Sequence, residues 1–414
     1  MKIKLLILLV ASQFSFAQER NCGTPDKMRE LSNNPEMKAV YEENMRKFQA
    51  ELARNSEANS SNATMRSAFR IPVAVHYPSA NGLSESEKQC LRDLAQNQVN
   101  ILNADFNGTN ADISTWINTT SSYFPGVNYG SMNVNFEIAS GDHPASTGLT
   151  DGTLAVTFGE AFGGGPNGDW DPDWNGYLNF VVKNLSGGVL GYAYLASSPA
   201  NGAAVYIDNG AFGAGAGCVG FVPGAPYNLG RTLTHELGHY LNLEHIWGDA
   251  TCGSDGVADT PLHNTSNGGC PAISHLSTCT GTPRELTMNY MDYTNDVCMY
   301  MLTQGQAARM QTHLNTIQGA FNQSTLSNEN FGLNNRFVVY PNPNKGSFNV
   351  QFDNLVTDYS IQVMDRTGRI VFKNEYVQNQ DLMQKIQLDT AASGIYFVTI
   401  KTDNAVATKR VIVE

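Results

Sequence analysis

The run of residues 235–245, which reads HELGHYLNLEH, constrains this chain more than any other segment. Positions i and i+4 of a helix share a face, so His235 and His239 can bind one metal ion while Glu236 projects beside it. His245 lies six residues beyond His239, and the chain must turn sharply to bring it back to that ion. Three neutral imidazoles with one open coordination position are typical of a catalytic zinc site. The pattern therefore predicts zinc-dependent hydrolysis with Glu236 as the general base.

The alternative interpretation is three histidines that bind no metal. The shorter HExxH pattern occurs by accident in core helices. The chain has only 8 His among 414 residues, however, so a chance match to the whole pattern is rare. We therefore favour the zinc site.

A second segment, residues 289–293 (NYMDY), adds a resemblance to the metzincin superfamily of zinc endopeptidases. In that superfamily a Met on a tight turn forms an apolar floor beneath the zinc, and Met291 matches it. The Tyr two residues later, here Tyr293, can ligate the metal or donate a hydrogen bond to the tetrahedral intermediate. A Gly normally stands at the position of Asn242. Asn is the usual second choice for a left-handed turn, so we expect the turn after the zinc helix to form there.

Residues 255–261 (DGVADTP) and 305–310 narrow the resemblance to the pappalysin family, in particular its compact ulilysin-like microbial members. The resemblance covers roughly residues 20–322. It implies an α/β (α+β) catalytic domain with a twisted sheet, the zinc helix and an irregular lower half, with the cleft between them. Residues 188–196 resemble the edge strand that binds an extended substrate by backbone pairing, although an ordinary buried strand is an alternative.

Residues 1–17 are typical of a secretory signal peptide. A short basic start precedes an apolar stretch at residues 5–10, and small residues occupy the cleavage positions up to Ala17. No later segment is long and apolar enough to span a bilayer. The net charge of -12 argues against nucleic-acid binding, which needs a basic surface. We expect an exported, soluble protein whose partners are protein or peptide substrates.

Seven Cys in an exported chain indicate disulfides. Four of them lie around the loop-rich segment after the zinc helix, and the sequence alone allows three pairings of these four. The family resemblance implies Cys252 with Cys279 and Cys270 with Cys298. For Cys90 and Cys218 the sequence leaves open whether they form a disulfide or stay buried and free.

Cys22 is interpreted separately, because it follows the signal peptide and opens a polar segment, residues 18–65, that is typical of a propeptide. In ulilysin-like enzymes the matching Cys-Gly-Thr supplies a thiolate that occupies the open zinc position and keeps the zymogen inactive. The alternative is an unpaired Cys in a mobile tail. Residues 34–52 have helical patterning, and a Ser/Asn-rich linker at residues 55–62 leads to a predicted maturation site near Met65 and Arg66.

Residues 66–322 are predicted to form the protease domain, which is long enough for a substantial core. Strands are expected at residues 70–77, 134–138 and 177–182, and the zinc helix at residues 227–243. A helix capped by Ser84 and Glu87 follows the first strand, and a helix that begins after Thr303, with Gln306 completing its capping box, closes the domain.

A polar linker, residues 323–336, leads to a module at residues 337–414 whose short strands and turns predict a small β-sandwich. The module resembles the C-terminal sorting domain of the type IX secretion system of Bacteroidetes. This resemblance implies the type IX machinery as a partner, carriage across the outer membrane and removal of the module on export. A carbohydrate-binding or adhesive β-domain is the alternative.

Acidic residues between the zinc helix and the Met turn suggest a calcium site. Calcium binds carboxylate and carbonyl oxygens. The candidate ligands lie on the loop that most needs ordering: Asp249, Asp255, Asp259 and the carbonyl of Thr260. The spacing is not that of an EF-hand, and aspartates that only form turns are the alternative.

The predicted function is a secreted zinc endopeptidase in which Tyr293 steadies the oxyanion. Asp296 follows the Met turn by five residues, and the resemblance implies that it lies at the base of the pocket for the residue after the scissile bond. A carboxylate there predicts a preference for Arg, and less strongly Lys. A solvated turn aspartate is the alternative for Asp296. The competing class for the whole protein is a non-catalytic zinc-containing surface adhesin.

Overall fold

A computed structural model describes residues 20–57, 69–163, 168–325, 337–352, 359–366, 368–377, 381–388, 392–402 and 406–414. The chain divides into two units, residues 1–325 and 326–414. The predicted signal peptide, the predicted maturation site and residues 326–336 of the predicted linker lie outside the described residues. No helix in the described ranges is long and apolar enough to cross a membrane.

Two helices open the first unit, α1 (Thr24–Asn33) and α2 (Pro35–Glu57). The helical patterning predicted at residues 34–52 is confirmed by α2. Phe48 of α2 is buried, and the guanidinium of Arg309 lies 5.3 Å from its ring centroid. Asn44 donates from Nδ2 to the carbonyl of Ala196 (2.9 Å). The segment preceding the first strand is therefore folded onto the rest of the unit.

A six-stranded sheet forms the upper half of this unit. Its order is β2 (Val134–Ile138), β1 (Phe69–Tyr77), β4 (Leu178–Val182), β6 (Ala204–Ile207) and β5 (Gly191–Tyr192), and β3 (Val156–Phe158) also pairs with β1. All of these pairs are parallel except β5 with β6. β4 is buried along its whole length and β1 along most of it, as expected for central strands covered on both faces.

Two helices lie against this sheet, α3 (Glu85–Asn107) and the zinc helix α5 (Arg231–Tyr240), while α4 (Ile113–Asn118) follows α3. The predicted capping box of Ser84 and Glu87 begins α3. Buried polar side chains join α5 to α3: Thr234 donates to Asp105 Oδ2 (2.6 Å), and Arg231 forms ion pairs with Asp105 and Asp112. These pairings neutralise buried charge and fix the position of the zinc helix.

The predicted bounds of the zinc helix, residues 227–243, are wrong. The helix begins at Arg231, because Gly230 has a left-handed conformation (φ 75°) that ends the preceding loop. The amides of Leu229 and Arg231 donate to the buried carboxylate of Asp296 (2.8 and 3.3 Å) instead of continuing a helix backwards. It ends at Tyr240, two residues before Asn242 adopts φ 74°.

The lower half between α5 and α6 (Gln304–Ile317) consists mainly of loops held by disulfides. The pairings implied by the family resemblance are present, Cys252 with Cys279 and Cys270 with Cys298. The open question on Cys90 and Cys218 is answered, since they form a third disulfide. Such links stabilise loop-rich segments mainly by restricting the unfolded chain. The predicted capping box of Thr303 and Gln306 begins α6.

The second unit consists of two antiparallel sheets around one hydrophobic core, as predicted for residues 337–414. One sheet has the order β11 (Met383–Gln387), β8 (Ser347–Phe352), β7 (Phe337–Tyr340). The other has the order β10 (Ile370–Tyr376), β9 (Tyr359–Asp365), β12 (Gly394–Lys401), β13 (Val406–Val413). Alternate residues of β8 and β9 are buried, which is the pattern of strands with one face in a core.

Candidate active site

Three histidines converge where α5 ends. His235 and His239 lie one turn apart on α5, and His245 follows the turn after it. The Nε2 atom of His239 is 3.2 Å from Nε2 of His235 and 3.2 Å from Nε2 of His245. All three side chains are buried. The structure therefore brings together the three predicted metal ligands.

The outer nitrogen of each ring has an acceptor of its own. His235 Nδ1 donates to the carbonyl of Tyr290 (2.7 Å), and His239 Nδ1 to the carbonyl of Leu243 (2.7 Å). His245 Nδ1 contacts Asp249 Oδ1 (2.6 Å). Since a carbonyl can only accept, Nδ1 of His235 and His239 must carry the proton. The Nε2 lone pairs consequently face one another.

This donor set fits zinc. Burial lowers the pKa of His239 to about 3 and the pKa of His235 well below its usual range, so these imidazoles are neutral. Neutral nitrogens with converging lone pairs repel each other unless a cation lies between them, and imidazole is a preferred zinc ligand. Hydrogen bonds from the distal nitrogens to carbonyls or carboxylates are the usual way in which metal-binding histidines are oriented.

The turn between His239 and His245 forms as predicted at Asn242. Its φ of 74° is the left-handed conformation for which Asn substitutes for Gly. The amide of Leu243 donates to the carbonyl of Gly238 (2.8 Å), which closes the helix end. Arg309 of α6 donates from Nε to the carbonyl of Asn242 (2.6 Å) and so fixes this turn from outside.

Met291 lies in the core beneath the histidines. It is fully buried, and a Cβ at Gly238 would lie only 2.5 Å from its sulfur. Gly238 is therefore required for the close approach of this turn to the zinc helix. The carbonyl of Met291 accepts from the amide of Ile246 (3.2 Å), which links the turn to the residue after His245.

Glu236 is buried beside the histidines and is covered by the N-terminal segment. Cys22 Sγ lies 3.4 Å from Glu236 Oε2, and the possible ligand atoms of Cys22 and the three histidines all lie within 4.8 Å of one another. Thr24 Oγ1 donates to the same carboxylate oxygen (3.2 Å). Burial raises the pKa of Glu236 to about 8 and the pKa of Cys22 above its usual range. Cys22 is buried, so the mobile-tail interpretation is wrong.

Tyr293 flanks the metal site on the side opposite the zinc helix turn. Its ring centroid lies 5.0 Å from that of His245 and 5.7 Å from that of His235. Burial raises the pKa of Tyr293, and the nearby Cys22 and Glu236 raise it further. The hydroxyl therefore keeps its proton and can donate.

The N-terminal segment pairs with the sheet edge. The amide of Gly23 donates to the carbonyl of Gly191 (2.8 Å), and the amide of Leu190 to the carbonyl of Asn21 (2.9 Å). Cys22 and Gly191 pair in the parallel direction. The edge strand predicted at residues 188–196 is regular only in β5. The edge lies directly over the general base, since a Cβ at Gly191 would be 2.7 Å from Glu236 Cγ.

Asp296 lies buried at the base of α5, so the solvated-turn interpretation is wrong. Its Oδ1 atom accepts from Nη2 of Arg20 (2.5 Å). The same guanidinium donates from Nη1 to Thr232 Oγ1 (3.0 Å) and from Nε to the carbonyl of Thr294 (3.4 Å). The pocket is thus occupied by an Arg from the chain's own N-terminal segment, two residues before Cys22.

The four candidate calcium ligands have different partners. Asp249 contacts His245, and although burial raises its pKa, the hydrogen bond to His245 outweighs this and lowers it. Asp259 accepts from Thr303 Oγ1 (2.7 Å) and the Gly305 amide (2.8 Å) at the start of α6. Of the four, only Asp255 and Thr260 are hydrogen-bonded to each other (2.8 Å).

Comparisons with known proteins agree with this arrangement. Residues 167–315 match the family described as Pregnancy-associated plasma protein-A. An extracellular metalloprotease of Pyricularia oryzae is 30% identical over 302 residues, which cover 71% of this chain and 88% of that protein. The chain belongs to the pappalysin family of metalloendopeptidases. The predicted family is confirmed.

Further matches to this pappalysin cover different extents. An extracellular metalloprotease of Arthroderma benhamiae is 38% identical over 139 residues, 32% of this chain and 48% of that protein, so the chain spans about half the length of this curated relative. A promirolysin mutant of Tannerella forsythia is 30% identical, with a TM-score of 0.53 over 72% of this chain and 95% of that one. The α/β fold expected for the first unit is that of a solved metalloprotease.

The second unit of this pappalysin has a match of its own. Residues 338–414 match the family described as Secretion system C-terminal sorting domain. The predicted sorting module and the predicted export of the protein are therefore confirmed.

The sequence analysis did not single out Arg20, although it contacts the predicted specificity residue Asp296. An Arg two residues before Cys22 was the available signal. The role of Gly191, whose lack of a side chain lets the edge strand lie against Glu236, also had no signal in the sequence, because a strand glycine has many causes.

Proposed function

We propose that this protein is a secreted zinc endopeptidase that is produced as a latent zymogen. The convergence of three neutral imidazoles beside the buried carboxylate of Glu236 carries this proposal. Zinc, when bound by His235, His239 and His245, polarises the scissile carbonyl and lowers the pKa of water. Glu236 accepts the proton of the attacking water and passes it to the leaving amine. Tyr293 donates its hydroxyl proton to the developing oxyanion.

The adhesin alternative explains fewer of these features. A metal site that only binds or stabilises has no need of a buried carboxylate next to it, and burying one costs free energy. Glu236 is 1% exposed, and the only side chains that donate to it, Cys22 and Thr24, belong to the N-terminal segment. A general base explains why the carboxylate is there.

We predict that Glu236→Gln lowers the rate of proteolysis by about 10²- to 10⁴-fold, because the amide keeps the volume but cannot accept a proton. The measurement is hydrolysis of casein by protein whose zinc content and melting temperature match those of the wild type. Glu160→Gln, which makes the same change at an exposed position, should leave the rate unchanged. Wild-type rates in a zinc-loaded, folded Glu236→Gln variant would contradict the mechanism.

Latency is attributed to Cys22. Its sulfur lies within ligand distance of the histidine cluster, and thiolate is a strong zinc ligand that would fill the open coordination position. Thr24 supports the same geometry, since it donates to Glu236 and to the carbonyl of Ala193 (2.9 Å). Water then has no access to the general base.

We predict that Cys22→Ala speeds conversion of the secreted zymogen to the mature form, followed as a band shift over time on denaturing gels. Ser32→Ala, an exposed change on α1, is the matched control and should convert at the wild-type rate. Equal conversion rates in all three proteins would assign latency to steric blockage by α1 and α2 instead of the thiol.

A preference for Arg after the scissile bond follows from Asp296. The Arg20 guanidinium, fixed by Asp296, Thr232 and Thr294, supports a pocket that accepts this side chain. A planar guanidinium can use several acceptors at once, whereas the ammonium of Lys is a point charge, so Arg is preferred over Lys. Arg20 precedes Cys22, but in a substrate the Arg follows the scissile carbonyl. The N-terminal segment therefore lies in the cleft in the reverse direction and presents no peptide bond in the orientation for cleavage.

We predict that Asp296→Asn lowers kcat/KM for peptides with Arg after the cut by about 10- to 150-fold, since charged hydrogen bonds contribute about 1.5–3 kcal/mol. Asn keeps a carbonyl oxygen for the amides of Leu229 and Arg231, so peptides with Leu at that position should lose much less. Profiling of cleavage sites in a whole-protein digest gives the comparison. An unselective wild-type profile would refute the pocket assignment.

We also propose calcium binding at Asp255. This carboxylate is 3% exposed, its Oδ2 atom has no hydrogen-bond partner among the described residues, and burial raises its pKa to about 6. A buried oxygen without a donor fits a hard cation, and Thr260 is the neighbouring candidate ligand. Addition of calcium should raise the melting temperature of the wild type, and Asp255→Asn should remove this increase. An increase of equal size in both proteins would place the cation elsewhere.

A further inference from the structure

A second carboxylate of the first unit also holds a basic side chain of the N-terminal segment. Lys27 Nζ lies 3.0 Å from Asp169 Oδ2 and 4.9 Å from the ring centroid of Tyr192. Lys27 also pairs with Glu30 of its own helix (2.9 Å). Asp169 is 8% exposed, so in this state its carboxylate is covered.

The Asp169 carboxylate is oriented by two tyrosines of the sheet edge. Tyr192 donates its hydroxyl to Oδ1 (3.1 Å), and Tyr194 donates to Oδ2 (2.8 Å). Both tyrosines are buried, and Tyr192 stacks on Tyr206 with centroids 4.6 Å apart. A fixed carboxylate beside an aromatic face is a favourable environment for a cationic side chain.

The position of this site in the cleft follows from the segment that fills it. Arg20 occupies the Asp296 pocket, Cys22 lies at the histidines, and Lys27 reaches Asp169. The Asp169 site is therefore on the opposite side of the metal site from Asp296. A substrate with its Arg in the Asp296 pocket and its scissile carbonyl at the metal site must extend its N-terminal part toward Asp169.

We propose that Asp169, with Tyr192 and Tyr194, forms a subsite that selects a Lys or Arg on the N-terminal side of the scissile bond. This inference rests on the proposed peptidase activity and extends it to a second basic side chain. When the N-terminal segment leaves, Lys27 and Glu30 leave together, and the Asp169 carboxylate loses that ion pair while keeping its tyrosine donors. A basic substrate side chain restores the pair, so the preferred substrate carries basic residues on both sides of the cut.

The test uses protein matured from the full-length chain and internally quenched peptides with Arg after the cut. Lys is placed in turn at each of the four positions before the cut and compared with norleucine, which has a similar length and no charge. We expect Lys at one position to raise kcat/KM by about 5- to 10-fold, a modest factor because the freed site is partly solvated. This advantage should decrease as the salt concentration rises, because salt screens the pair.

The decisive variant is Asp169→Asn, which keeps an acceptor for the tyrosine hydroxyls but removes the charge. It should cleave the norleucine peptide at the wild-type rate and lose the Lys advantage. Asp173→Asn removes an exposed carboxylate from the same segment and should keep the advantage.

The outcomes separate this inference from the proposed function. If the wild type cleaves none of the peptides, the peptidase proposal fails. If it cleaves them without a Lys advantage at any of the four positions, or with one that is insensitive to salt, the subsite is refuted. An equal loss on Lys and norleucine peptides in a folded Asp169→Asn variant would assign Asp169 a structural role only. Should that variant not fold, the position scan and salt dependence of the wild type still decide the question.

Discussion

The hydrogen bonds on the outer side of the three imidazoles determine most of the site. A carbonyl from the Met turn, a carbonyl from the helix turn and the carboxylate of Asp249 each accept from one ring. These contacts force the inner nitrogens to face one another without protons. The positions of the Met turn, of Asn242 and of the loop at Asp249 all follow from this requirement. The close approach of Met291 to Gly238 serves the same end, because it brings the Tyr290 carbonyl within reach of His235.

Local features were predictable from the sequence, and long-range ones mostly were not. The i, i+4 spacing of His235 and His239, the left-handed turn at Asn242 and the capping boxes are set by residues a few positions apart. The pairing of Arg20 with Asp296 joins residues 276 positions apart, and nothing local distinguishes either side chain. The start of the zinc helix was predicted wrongly for the same reason. Asp296, far along the chain, binds the amides that would otherwise extend the helix.

The N-terminal segment is a partial cast of the cleft. It places a guanidinium, a thiol and an ammonium against a carboxylate, a histidine cluster and a second carboxylate. Each contact uses a side chain that matches the chemistry of the surface beneath it. The backbone runs parallel to the sheet edge and so satisfies the edge hydrogen bonds without offering a bond to cleave. Recognition and inhibition therefore use the same surfaces, and the direction of the chain distinguishes them.

Asp296 links two properties that are usually independent in an enzyme. Its Oδ1 atom faces the pocket, whereas Oδ2 accepts from the amide of Arg231, the first residue of the zinc helix. A negative charge at this end of the helix also interacts favourably with the helix dipole. A mutation that gave the pocket an apolar lining would leave helix amides unpaired at the base of the metal site. The taste for basic residues is thus tied to the integrity of the metal centre, and divergence toward other substrates would have to begin by re-anchoring the helix.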